Sequence, residues 1–191
     1  TFNLKMGKSI TLSGANPNLS ISGQNYTVIN SLGTETSNSD GSLQGMRGNL
    51  AGFYALGSNI DANTTSTWNS GNGFTPIGGN FTGTLHGLGN TVSNIYINAP
   101  SSVGISSANG FFYNLSSTGK VLNFGLLGGS VNARGTPSAM GSLVGTNYGL
   151  ISKSYSTASV TSQSGTESIG GLSGANPGTI VDSFYSGTVT S

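Results

Sequence analysis

The chain has 191 residues, of which 32 are Gly and only 6% are charged, and its formal net charge is +1. So little charge gives no electrostatic case for nucleic acid or anionic lipid as a partner. The absence of Cys excludes thiol catalysis and Cys-based metal centres, and no apolar run reaches the roughly 20 residues that a membrane-spanning helix needs. Ser, Thr, Asn and Gly fill the surface that Lys and Glu usually fill. Yet 34% of residues are hydrophobic and fall in regular alternation, which argues against disorder.

In chain order, Ser9–Leu12, Leu19–Ile21 and Tyr26–Ile29 read as short strands, with a turn over Gly14–Asn18. Ser31–Asp40 is nearly free of apolar residues and reads as a protruding loop. Leu43, Met46 and Leu50 have helical spacing, with Asp40 or Ser42 as a cap, but Gly45 and Gly48 weaken it, so helix and loop both stay open. Phe53–Ile60 returns to strand and turn. Asp61–Asn72 reads as a second polar loop and carries Trp68, the single tryptophan. Thr91–Asn98 reads as one strand, and Ser101–Asn109, Ala133–Ala139 and Thr161–Ser168 as loops. Phe111–Leu127 is the most apolar stretch and is expected at mid-core.

The strongest signal lies in Met140–Val189. Gly141, Leu143, Gly145, Asn147, Gly149, Ile151, Ser154 and Val160 recur 29 residues later as Gly170, Leu172, Gly174, Asn176, Gly178, Ile180, Ser183 and Val189. A fixed period of this size marks a solenoid. Alternation by steps of two within each unit predicts strand, turn, strand, turn, strand, and shows no 3.6-residue period. One unit has too little apolar surface to fold alone, so units must stack on a shared core. Gly145, Gly149, Gly174 and Gly178 are read as tight-turn or positive-φ positions, and stacked Asn147 and Asn176 as an amide ladder. Gly110–Val131 reads as a degenerate copy, with Phe112, Gly119, Val121 and Val131 in the places of Leu143, Gly149, Ile151 and Val160. The expected fold is all-β: a right-handed parallel β-helix, or β-solenoid, with polar loop excursions. Residues 1–109 would form N-terminal coils with long loops and 110–191 the repeat coils, the whole being a section of something longer.

The motif G-x-L-x-G-x-N-x-G-x-I, followed by S-[YF] and a closing Val, resembles the GLUG repeat. The segment LQGMRGNLAGFYALGSNIDA, then GFTPIG and FTGTLHGLGNTVSNIYIN, is similar to the stretch preceding such repeats in filamentous haemagglutinin-like exoproteins. His86 stands where that family usually has Asp. The resemblance implies export by two-partner secretion through an outer-membrane transporter, a place at the bacterial cell surface and adhesion to a host-cell receptor or surface glycan. It also leaves N-glycosylation open at the N-x-[ST] sites of Asn18, Asn25, Asn63, Asn80 and Asn114.

Catalysis finds little support. Glu35, Asp40, Asp61, Glu167 and Asp182 are dispersed and form no D-x-D pair, although Glu35 and Asp40 share a loop and are placed to approach Asp61. A β-helical polysaccharide lyase or hydrolase is therefore the alternative, and an ice-binding solenoid built on Thr188-Val189-Thr190 a further one. No cofactor or metal is expected. His86, without a second His or Cys, is expected at the surface, with a titrating switch as the minor alternative. Gly87-x-Gly89 and Gly170-Gly171 lack a following helix and Lys, so they read as turn punctuation rather than a phosphate loop. Trp68 either stacks on a sugar or packs back over the solenoid, the second being preferred. Trp68, its neighbour Asn69 and Tyr148 are the candidate ligand contacts. Tyr148, Tyr155, Phe184 and Tyr185 are read first as stacked core or flank aromatics. Lys120, Arg134 and Lys153 are expected in solvent, and the chain is expected to be a monomer.

Overall fold

Residues 3–14, 17–100, 108–134, 137–162 and 168–191 are described by a computed structural model. The expectations for Ala15 and Asn16, 101–107, 135–136, 163–167 (with Glu167) and the Arg134 side chain lie outside the described residues.

The chain is a parallel β-solenoid of about five turns. A full turn contributes five short strands, not three. The turn that starts at Val144 contains Val144–Asn147, Leu150–Ser152, Tyr155–Ser156, Ser159–Ser162 and Ser168–Ile169. Sheet 1 orders Ile77–Phe81, Phe112–Leu115, Val144–Asn147 and Ser173–Ala175. Sheet 2 has seven strands, from Leu19–Ile21 through Gln24–Ile29, Phe53–Leu56, Thr84–His86, Lys120–Leu122 and Leu150–Ser152 to Thr179–Val181. Sheet 3 runs from Ile60–Asp61 to Phe184–Tyr185, sheet 4 from Tyr96–Pro100 to Val189–Thr190, and sheet 5 joins Ala108–Asn109, Ala139–Met140 and Ser168–Ile169.

The 29-residue register holds. Ile151 pairs with Ile180, Val160 with Val189 and Tyr155 with Phe184, and the Leu143 amide donates to the Leu172 carbonyl at 3.1 Å. The amide ladder forms as expected: Asn147 Nδ2 donates to Asn176 Oδ1 at 2.6 Å. One position of the degenerate copy shifts. Phe112 pairs with Val144, so Phe111 rather than Phe112 takes the place of Leu143. Val121 and Val131 pair with Ile151 and Val160 as expected.

The inward column of sheet 2 is Tyr54, Leu85, Val121 and Ile151, all buried. Mid-core is an aromatic cluster. Phe111 stacks on Phe74 at 5.3 Å between ring centroids and meets Phe112 edge-on at 5.0 Å, while Phe81 lies 4.6 Å from Phe112. Such pairs add roughly 0.5–1.5 kcal/mol each beyond the area they bury.

Several local expectations are corrected. Thr91–Asn98 is two strands in different sheets, Thr91–Ser93 and Tyr96–Pro100, because Asn94 turns the corner at φ +58°. Gly145 and Gly174 are not turns. They lie within strands, and neither has a positive φ. A Cβ on Gly145 would come within 2.6 Å of both the Asn109 amide and the Ala108 Cβ, so the missing side chain lets sheet 5 lie against sheet 1. The positive-φ corners belong instead to Asn123, Lys153 and Asp182, which stand successively along the junction of sheets 2 and 3.

The polar stretches expected to protrude form a cap over the N-terminal end. Gln44–Gly48 is a 3₁₀ helix whose Gly45 amide is capped by Ser42 Oγ at 3.1 Å, and Ser31–Asp40 folds against it through Ser39 N–H to Gly45 O and Arg47 Nε–H to Ser37 O. Gln44 closes a two-way bond with Thr75 beside the first strand of sheet 1. Asn63–Gly71 is also 3₁₀ rather than loop, kinked at Trp68–Ser70, and Thr65 Oγ1 accepts the Tyr96 amide at the first strand of sheet 4. The antiparallel hairpin Leu19–Ile21/Gln24–Ile29 closes sheet 2. In the last coil of this sequence Val181, Phe184 and Val189 are 43%, 47% and 41% exposed.

Ser9–Leu12 belongs to no sheet. It is part of a strap that crosses successive coils, with the Leu12 amide donating to Gly57 O, the Ile10 amide to Leu88 O, and Lys153 Nζ to Asn3 Oδ1 at 2.6 Å. Lys153 is therefore tied to the strap rather than free in solvent.

Two substitutions test this packing. Gly145→Ala should destabilise the chain by about 1–3 kcal/mol, because the obstacle is backbone that cannot yield cheaply. Asn147→Leu should cost a similar ~1–3 kcal/mol by leaving the Gly149 amide and the Asn176 carbonyl oxygen without the buried side chain that serves both. Urea denaturation followed by circular dichroism reads both values.

Candidate functional site

The three residues expected to contact a ligand do not come together. Trp68 and Asn69 lie in the kinked 3₁₀ segment that covers sheet 4, whereas Tyr148 lies at the corner between sheets 1 and 2. Trp68 is half-buried and packs against the hydrophobic core, as the preferred reading had it.

Asn69 holds the kink. It and Ser70 sit at φ +51° and +56°, a left-handed conformation that costs non-glycine residues energy. Three bonds stabilise it. The Asn69 amide donates to Glu35 Oε2 at 2.6 Å, and its side-chain amide donates to Gly73 O at 2.7 Å and Thr75 Oγ1 at 3.2 Å. Both of its side-chain N–H groups are thus engaged by the chain itself. Tyr148 is 55% exposed and presents its ring to solvent. Of the other repeated aromatics, Tyr155 and Phe184 stack at 5.2 Å with planes 7° apart, so they form a flank ladder rather than core.

Glu35, Asp40 and Asp61 take separate structural roles. Glu35 engages Asn69, not Asp61. Asp61 Oδ1 accepts from the Asn63 amide and from Asn94 Nδ2. Asp40 Oδ1 accepts from the Ser42 hydroxyl and amide. Burial pushes the Asp40 carboxyl up, but hydrogen bonds from Ser37 and Ser42 outweigh it and hold it below the ordinary carboxylate range. Among the described residues, no group of three or more His, Asp or Glu side chains is placed to hold a metal ion. Thr161 stacks on Thr190, but the next two positions of that column are Asn132 and Asn98, so the Thr pattern does not extend.

His86 corrects the sequence reading. It is 3% exposed. It pairs with Ala55 on one side and Leu122 on the other, on the sheet 2 face opposite Leu85. Ala55 is fully buried on that outer face as well, so the face is covered where the strap passes Gly57 and Leu88. His86 Nδ1 accepts the Leu88 amide at 3.0 Å, and burial lowers its pKa to about 4. Alternation alone assigns this residue to the outer face. The signal for its burial lies some 80 residues away, in the segment that covers it.

Four of the candidate glycosylation residues, Asn18, Asn25, Asn63 and Asn80, are exposed, and Asn114 is half-buried. No helix of the described residues is long and apolar enough to cross a membrane.

No family model matches the chain, and no solved structure matches it. Among curated proteins it is similar to halomucin of Haloquadratum walsbyi, with 40% identity over 106 residues. That match covers 51% of this chain and 1% of halomucin, so the chain spans a very small part of that relative. The solenoid and this similarity are compatible with a structural protein of a cell surface.

The His86 environment predicts a pH dependence. A histidine whose folded pKa lies below its unfolded value of about 6.5 favours the native state while neutral. That stability is fully present above pH ~6.5 and is lost as pH falls towards about 4. The loss should approach roughly 3 kcal/mol across that window. The Asp40 contribution, from a carboxyl held low, is lost only below it. In His86→Asn the slope between pH 6.5 and 4 should flatten, as read by urea denaturation at stepped pH.

Proposed function

We propose that this chain is a section of a secreted adhesin of the filamentous haemagglutinin-like type, exported by two-partner secretion through an outer-membrane transporter. In this reading it is a rigid stalk at a bacterial cell surface that attaches to a host-cell receptor or surface glycan, or to neighbouring cells. The observation that carries the proposal is the pairing of each coil on the next, in register but for the bulge at Gly78–Gly79, because a backbone paired on both sides along its length resists bending and holds its flanks at fixed spacing. The GLUG-like recurrence accords with this reading, and the similarity to halomucin supports only its coarser part, a structural protein of a cell surface. An enzymatic role draws no comparable support from the acids: Glu35, Asp40 and Asp61 are each engaged by different partners. The exposed contact surface consists of the Tyr148 corner, the outer side of the Trp68–Asn69 kink and the loop tips between sheets.

Attachment can be read directly. Beads coated with the chain should adhere to epithelial cells or to bacteria above the level of albumin-coated beads. Trp68→Ala or Tyr148→Ala should reduce that adhesion at least about threefold while the circular dichroism spectrum stays unchanged. Adhesion at the albumin level with both cell types would overturn the adhesin reading and leave a spacer.

A further inference from the structure

Sheet 5 overlies the outer face of sheet 1 only part of the way along the solenoid. Its strands pack where sheet 1 has glycine: Ala108–Asn109 over Gly145, and Ala139–Met140 over Gly174. One coil nearer the cap the same column carries Tyr113, opposite Gly145 in the register set by Phe112–Val144 and Asn114–Thr146. A side chain has replaced the gap, and Ala108–Asn109 is the first described strand of sheet 5. The Tyr113 ring lies over Gly78, with ring carbons 3.4 Å from where a Cβ would stand. Gly78 and Gly79 together face Tyr113 as a β-bulge between the Ile77–Phe112 and Asn80–Asn114 pairs, and Gly79 has φ +69°. Bulges of this kind bend a strand and re-aim the side chain opposite.

The result is a groove of about 380 Å³ between the Tyr113 ring and the 3₁₀ helix of the cap. Leu50, Pro76, Gly79 and Tyr113 make much of its lining apolar, and Thr75, Asn38 and Arg47 supply the polar part. Arg47 is positioned by its Nε–H bond to Ser37 O at 2.8 Å, and its Nη groups have no protein partner among the described residues. No acid lines the groove, and the nearby Asp40 carboxylate is engaged by Ser42. Burial raises the Tyr113 pKa, so the phenol stays neutral and able to donate.

We infer that this groove binds an acidic sugar unit, a uronate within an oligosaccharide. The C–H face of a pyranose is apolar and fits a floor of Tyr, Pro and Gly, and a carboxylate on the ring takes the two-pronged donor set of a guanidinium. The volume is at the lower end of small-ligand clefts, roughly 300–1,000 Å³, which suits one or two sugar rings. The groove is open to solvent, so a chain of sugars continues past it. A single cation selects one carboxylate and gives no purchase on a polyphosphate. The site deepens the attachment reading by naming its glycan; neither Trp68 nor Tyr148 lines it, although Thr75 of its lining is bonded to Asn69.

The test is titration of the whole chain, ¹⁵N-labelled, with trigalacturonate, neutral galactotriose and sodium acetate, followed by NMR. Trigalacturonate should bind more tightly than either control, with the largest shifts at the amides of Gly78, Gly79 and Tyr113. Arg47→Gln should weaken trigalacturonate binding about tenfold and leave the weak galactotriose response unchanged, and Arg47→Lys should recover part of the loss. Tyr113→Ala should weaken both sugars. Binding of trigalacturonate no tighter than acetate or galactotriose, or shifts that map away from the groove, overturns the inference without recourse to any variant. That failure would leave cell attachment through Trp68 and Tyr148 standing, because the bead assay reads it independently.

Discussion

Everything in this chain follows from one constraint: each coil must hydrogen-bond to the coils above and below it, in register, about 4.8 Å apart. A strand paired on both edges cannot slide, because a one-residue slip would turn its apolar residues outward. Irregularity is therefore confined to corners and bulges. The corner between Leu115 and Lys120 is two residues longer than that between Asn147 and Leu150, yet the strands on either side of both corners pair without a break. The 29-residue period is what this constraint leaves in the sequence when two successive coils also share corner lengths.

The same constraint explains the covering over the first coils. A solenoid end exposes strand edges and core side chains, and both invite association. At the N-terminal end, sheets 1 and 4 are covered by 3₁₀ segments made from largely polar sequence, and sheet 2 by a hairpin. Polar composition here means backbone satisfied by side chains: Ser42 on Gly45, Gln44 on Thr75, Thr65 on Tyr96, Glu35 on Asn69. In the last coil of this sequence Phe184 stacks on Tyr155, and Val181, Phe184 and Val189 are exposed.

The solenoid was legible in the sequence because stacking imposes identity at a fixed distance, and identity can be read without coordinates. Ile151 over Ile180 and Asn147 over Asn176 are of this kind. What was not legible depends on contacts with no period. Ser31–Asp40 and Asp61–Asn72 look like free loops because their partners are backbone groups elsewhere. His86 looks exposed because the strap that covers it comes from the first dozen residues. The glycines misled for a related reason. Gly145 and Gly174 repeat as turn glycines would, but their missing side chains serve a neighbouring strand rather than a backbone angle. Residue type singles out Trp68, Asn69 and Tyr148 as candidate contacts but cannot show that two lie in the cap and one on a distant corner. The groove at Tyr113 was readable only in retrospect, as the one coil in which a tyrosine replaces the repeated glycine.

Register also accounts for the low charge. A charged residue repeated at one position of a solenoid faces its own copy on the next strand, and like charges directly opposite are destabilising. A column of Ser, Thr or Asn avoids that repulsion and gains lateral hydrogen bonds. Charges on the described strands and corners obey this rule. Lys120 lies between Thr84 and Leu150, and Lys153 and Asp182, opposite in sign, take successive places at one corner. Arg47 escapes it by standing off the columns, on the cap, where no copy faces it. A cation placed there can stay unpaired without opposing the stack. The cap is thus the part of this architecture where a charge can be given over to recognition, and it is there that the tyrosine-floored groove opens.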